Sequence, residues 1–130
     1  MYTTATTAYG IAVTVEGRPT PEELKVVNAT LMDAARTKPG FSLLMDLSKA
    51  QVASDADAQK MISERYGKLF GAGMHRLAIV VSSATVGIQV RRLITQAVGE
   101  KVTKERVRMI DPATPNWRTE ADTWLAEKTA

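Results

Sequence analysis

A chain of 130 residues has the length of one ordinary domain and can bury a core without covalent cross-links. It has no cysteine and only one histidine, His75, which excludes disulfides, thiolate catalysis and cysteine-type zinc sites and leaves little for any other metal centre. The net charge is only +3, and the most basic segment, residues 91–108, contains no aromatic residue that could stack on bases, so we expect no nucleic-acid binding. The N-terminal residues combine no basic segment with an apolar run, so we predict a soluble cytoplasmic protein without a signal peptide.

The first part of the chain predicts two strands and a helix. Residues 1–7, rich in threonine and alanine, form either a frayed end or a short edge strand. Apolar residues at positions 11, 13 and 15 alternate with other residues between two glycines, which is the pattern of a half-buried strand. Residues 20–23, TPEE, then predict a helix start, with Thr20 as the N-cap, and Pro39-Gly40 predicts its end.

Residues 41–55, FSLLMDLSKAQVASD, form the segment around which the other elements are arranged. Its first eight residues carry apolar side chains on both alternations, at positions 41, 43, 45 and 47 on one side and at 44 on the other, where Asp46 breaks the pattern; a strand apolar on both faces usually lies inside a sheet. A loop follows, and Ser54 or Asp55 is expected to cap a second helix that closes at Gly71 and Gly73.

The remaining residues continue the alternation of strands and helices. We predict a central strand at residues 76–81, a helix from Ser82 or Ser83 to Gly99, a short strand at residues 107–110 and a last helix capped by Thr119. The order predicts one α/β domain over residues 1–130, with a mixed, largely parallel sheet of four to five strands and about four helices.

Four short sequences in this order resemble the STAS domain, the fold of anti-sigma-factor antagonists, and especially its sporulation stage II protein AA-like branch, which is itself similar to the lipid-binding CRAL-TRIO fold. They are VEGRPT at residues 15–20, MDLS at residues 45–48, RLAIVV at residues 76–81 and EADTWL at residues 120–125. The resemblance implies a STAS-like fold and a regulatory, non-enzymatic function that depends on a protein partner.

In regulatory STAS proteins, a serine in the loop after the central strand is phosphorylated by a partner kinase. The resemblance places Ser54 on the family's aspartate and Asp55 on its phosphorylated serine, and the glycine of the family motif is absent. We therefore predict a partner-binding loop with Asp46, Ser48, Ser54 and Asp55, in which Ser54 is either a plain helix cap or a phosphorylation site.

No catalytic set, metal site or cofactor motif is evident, so we expect a protein that is not an enzyme. The cluster of Tyr66, Leu69 and Phe70, close to two glycines, indicates either ordinary core packing or an apolar pocket with the second helix as its lid. The leading prediction is a regulatory module that binds a protein partner, with a homodimer left open. The alternative is a carrier or sensor of small apolar or lipid ligands with peripheral membrane contact.

Overall fold

A five-stranded mixed sheet is the frame of the computed structural model, which describes residues 1–127. Its elements in chain order are β1 (Tyr2–Thr6), β2 (Gly10–Gly17), α1 (Pro21–Thr37), β3 (Ser42–Ala50), α2 (Ala56–Gly71), β4 (Leu77–Val80), α3 (Ala84–Arg106), β5 (Val107–Ile110) and α4 (Trp117–Ala126). The strands lie side by side in chain order; β1 is antiparallel to β2, and the other pairs are parallel. The predicted α/β class, with one mixed, largely parallel sheet and four helices, is confirmed.

The helices lie on both faces of the sheet because β3 and β4 are apolar on both sides. Leu43, Met45 and Leu47 share one buried cluster with residues of α1, α2 and α3. Leu44 belongs to a second cluster with residues of α4. The three crossovers each advance by one strand in the same direction, and the usual right-handed connection then puts α1, α2 and α3 on a single face.

The open alternatives at three places are settled by the structure. Residues 2–6 form an edge strand whose Tyr2 pairs with Val15 of β2. Asp55, and not Ser54, caps α2 by accepting hydrogen bonds from two backbone amides. Ser83, and not Ser82, caps α3.

Two predicted helix boundaries differ from the structure. The last helix begins at Trp117 with Asn116 as its N-cap, so the prediction of Thr119 as the cap was wrong. Asn116 adopts a left-handed conformation (φ 60°) and makes no side-chain cap hydrogen bond, so the helix start differs from the side-chain cap that the prediction assumed at Thr119. We predicted that the third helix would end at Gly99. Gly99 does interrupt α3, with φ 88°, but the helix resumes beyond it and continues to Arg106.

Among residues 1–127, no helix is both long and apolar enough to cross a membrane.

Candidate functional site

The segment that comprises the last three residues of β3 and the connection to α2, residues 48–55, lies at the carboxyl end of a parallel strand. We call it the rim loop. In open α/β sheets this edge is where ligands and partners usually bind, because the loops there are free to vary while the sheet holds them in place. The loop contains three of the four residues predicted for partner binding, and the fourth, Asp46, lies just before it in β3.

Asp46 and Ser48 are used mainly to shape the end of β3. One carboxylate oxygen of Asp46 accepts hydrogen bonds from the Ser48 amide at 3.0 Å and from the Ser48 hydroxyl at 2.6 Å. The Ser48 carbonyl in turn accepts a hydrogen bond from the Ser82 hydroxyl at 2.7 Å, which ties the loop to the start of α3. Ser48 and one of the two carboxylate oxygens of Asp46 therefore already have partners within the domain.

Ala53 anchors the middle of the rim loop. It is only 2% exposed, and its amide donates to the Gln89 side-chain oxygen at 2.8 Å. Its carbonyl accepts from the Gln89 side-chain amide at 2.7 Å and from that of Gln59 at 2.9 Å. Three hydrogen bonds from two helices thus hold one buried loop residue, so the backbone on either side of it has little freedom.

Ser54 and Asp55 follow this anchor and are both exposed. The Asp55 carboxylate caps α2, accepting from the Asp57 amide at 2.7 Å and the Ala58 amide at 3.3 Å. The Ser54 side chain makes no hydrogen bond within residues 1–127. Of the four predicted residues, Ser54 is the one whose side chain makes no hydrogen bond at all within this part of the chain, so it can bind a partner without breaking a contact of the domain.

A small cavity lies beneath the rim loop, on the face of the sheet covered by α1, α2 and α3. Its volume is about 50 Å³, well below the ~150 Å³ of an engineered cavity that binds benzene. Its wall is mostly apolar and is formed by the ends of β1, β2 and β3 and by all three helices. The lining residues are Tyr2, Val15, Pro19, Glu23, Leu24, Val27, Leu47, Ala50, Gln51, Ala53, Ile62, Arg65, Tyr66, Val86, Gln89 and Val90.

The three residues predicted as a pocket or lid lie in different surroundings. Tyr66 is 1% exposed and lines the cavity. Leu69 is fully buried and faces a separate groove between α1 and α2, while Phe70 is partly buried and packs against the core. Only Tyr66 therefore contacts the space beneath the rim loop, and the lid remains a prediction.

Arg65 is a residue of this region that sequence reasoning missed. It is 6% exposed, and its Nε donates to the Asn28 side-chain oxygen at 2.6 Å. It lines both the cavity and the groove between α1 and α2, so it forms part of the wall between them. Its position gave a signal, because it lies seven residues after Ala58 and three after Ile62, on the buried stripe of α2.

The charge of Arg65 has no acidic partner among residues 1–127. No carboxylate lies within 4.0 Å of its guanidinium there, and its guanidinium carbon lies 5.5 Å from the ring centroid of Tyr66. Arginine is rarely this buried unless it is paired, since a buried charge loses its hydration. The loss is partial, because His75 Nε2 is the only fully buried side-chain nitrogen or oxygen without a hydrogen-bonding partner among residues 1–127, so the unbonded terminal nitrogens of Arg65 still reach open space.

The one tyrosine with a strongly shifted pKa lies elsewhere. Burial, followed by a hydrogen bond to Asp122, raises the pKa of Tyr9 to about 12. Tyr9 packs in the cluster beneath α4, on the opposite face of the sheet from the cavity.

A comparison with known protein families gives no match for this chain, and no curated protein is significantly similar to it. The likeness to the STAS domain therefore depends on the short sequences in which it was found.

Proposed function

We propose that this domain is a non-enzymatic regulatory module of the cytoplasm, of the STAS-like type, that binds a protein partner through its rim loop. The observation that carries the proposal is the combination of a fixed backbone with a free side chain. Ala53 is held by three hydrogen bonds, and the next residue, Ser54, is exposed and unbonded within the described part of the chain.

A loop fixed in this way suits recognition because little conformational entropy is lost when a partner binds. The exposed residues near Ser54 in the sequence are Lys49, Gln51, Asp55, Ala56 and Asp57, so the surface is mostly polar, and two carboxylates follow shortly after Ser54. A partner with basic and hydrogen-bonding groups would complement it. The carboxylates of Asp55 and Asp57 would repel a phosphate on Ser54. The proposal does not require Ser54 to be phosphorylated.

Quantitative capture from extracts of the native cells tests the proposal. The bait proteins are the wild type, Ser54→Arg and Thr119→Arg, the last being a control at an exposed position of α4. A protein partner should be retained by the wild type and by Thr119→Arg and lost from Ser54→Arg. Equal retention by all three baits would contradict binding through the rim loop.

The cavity favours a second candidate function, a carrier or sensor of small apolar ligands. Because Ala53 and Gln89 belong both to the cavity wall and to the anchor of the rim loop, an occupant would contact the residues that set the loop's position. Native mass spectrometry of protein purified without denaturation would reveal a bound small molecule, and Tyr66→Ala should change its retention. A chain that carries no ligand and binds none would contradict this second function.

A further inference from the structure

We propose that Arg65 binds the carboxylate of a small organic anion whose short apolar part fills the cavity. The inference deepens the second candidate function and depends on the cavity being a ligand site. It assigns the chemical class of the ligand, a monocarboxylate with a short hydrocarbon chain.

The first argument is the state of Arg65 itself. Its side chain is nine-tenths buried and donates one hydrogen bond, from Nε to Asn28. Within residues 1–127 its two terminal amino groups have no hydrogen-bonding partner and no carboxylate within 4.0 Å, and they are open to the adjoining cavity or groove and not enclosed by protein. A guanidinium presents its donors as a planar fork that matches two carboxylate oxygens, so a ligand of that kind supplies what the domain does not.

The second argument is the composition and size of the adjoining space. The wall is dominated by apolar side chains such as Leu24, Ile62 and Val90. Its volume of about 50 Å³ corresponds to roughly one or two water molecules at ~30 Å³ each. About two carbons of a short chain fit this space, because a methylene group is about as large as a water molecule, whereas a long acyl chain would need the walls to move apart.

The third argument concerns the charge of the ligand. Glu23 also lines the cavity, and its carboxylate is paired with the N-terminal ammonium group of Met1. Arg65 is therefore the one charged side chain of the wall without an opposite charge beside it among residues 1–127. One unpaired positive charge matches a ligand with a single negative charge.

The test is an NMR titration of the full chain with butyrate and, separately, with butyramide, which has nearly the same shape but no charge. Butyrate should give saturable shifts at the amides of Ala53 and Gln89, and butyramide should bind roughly tenfold more weakly or worse. Arg65→Met should lose the preference for butyrate. Arg92→Met, at an exposed position of α3, should keep it at the same ionic strength.

The outcomes separate this inference from the function on which it rests. Equal binding of butyrate and butyramide would overturn the role of Arg65 while keeping the cavity as an apolar site. Failure of both probes to bind would overturn the cavity as a site for small ligands, and with it this inference. Tighter binding of octanoate than of butyrate would overturn the short-chain assignment. Because the two probes are compared on the wild type, the test does not depend on Arg65→Met folding normally.

Discussion

Replacing Gln89 by alanine should release the rim loop while leaving the fold intact. The Gln89 side chain makes two hydrogen bonds to Ala53, at 2.8 Å and 2.7 Å. In Gln89→Ala the Ala53 carbonyl keeps its bond from Gln59, but its amide loses the one partner it has among the described residues. Ala53 is almost fully buried, so water reaches that amide only if the loop opens.

The expected cost follows from that one buried donor. An unsatisfied buried amide destabilises a protein by about 1–3 kcal/mol, so we expect the free energy of unfolding to fall by about 2 kcal/mol. Opening of the loop would relieve part of this cost locally. Hydrogen exchange at the Ala53 amide should then become faster by roughly 30-fold, the factor that corresponds to about 2 kcal/mol.

A second variant tests the direction of the bonds. Gln89→Glu keeps an oxygen to accept from the Ala53 amide but places a carboxylate oxygen against the Ala53 carbonyl. The loss of stability should be present at neutral pH and shrink below about pH 4, where a protonated carboxyl can donate again.

Urea unfolding and site-resolved hydrogen exchange measure both effects, with Gln96→Ala, at an exposed position of α3, as the matched control. If Gln89→Ala is as stable as Gln96→Ala and its Ala53 amide exchanges at the wild-type rate, the reasoning about the loop anchor is refuted.

Three further predictions concern the frame of the domain. Gly10→Ala should cost about 3 kcal/mol or more in urea unfolding, because the added Cβ would collide with a backbone carbonyl of β3. Gly17 has φ 80° and open space around it, so Gly17→Ala should cost only about 1–2 kcal/mol. Equal losses for the two variants would contradict this. Trp124→Ala should cost about 3–5 kcal/mol in urea unfolding and detach α4, because the ring is 7% exposed and packs against two arginines; a free energy of unfolding equal to that of the wild type would contradict this. Burial and the hydrogen bond to Asp122 raise the pKa of Tyr9 from 10.0 in the unfolded chain to about 12 in the folded one. The free energy of unfolding should therefore fall between about pH 10 and about pH 12, where Tyr9 ionises in the unfolded chain but stays neutral in the folded one. Tyr9→Phe should remove that part of the decline.

The fold was predictable because its apolar patterns are unambiguous. The run from Phe41 to Ser48 is apolar on both alternations, which places it inside a sheet, and it indeed packs against helices on both faces. The start of α4 was placed three residues too late because Asn116 and Thr119 are both acceptable N-cap residues, and residue type alone does not decide between them.

The candidate site was only partly predictable. Sequence order located the rim loop, but the hydrogen bonds between Ala53 and Gln89 join residues 36 positions apart and leave no local pattern. Arg65 was overlooked because an arginine in a helix is expected to reach solvent, although its spacing from Ile62 put it on the buried face. Cavities depend on how side chains from several elements meet, and that information is not carried by any one segment.

Site-specific photo-crosslinking in the native cells tests the central claim most directly. A photo-crosslinking amino acid placed at the position of Ser54 should give a discrete crosslinked product containing a protein partner, whether a different protein or a second copy of this chain. The same amino acid at the position of Thr119, on α4, should give none. A product from position 119 but not from position 54, or none from position 54, would contradict binding through the rim loop.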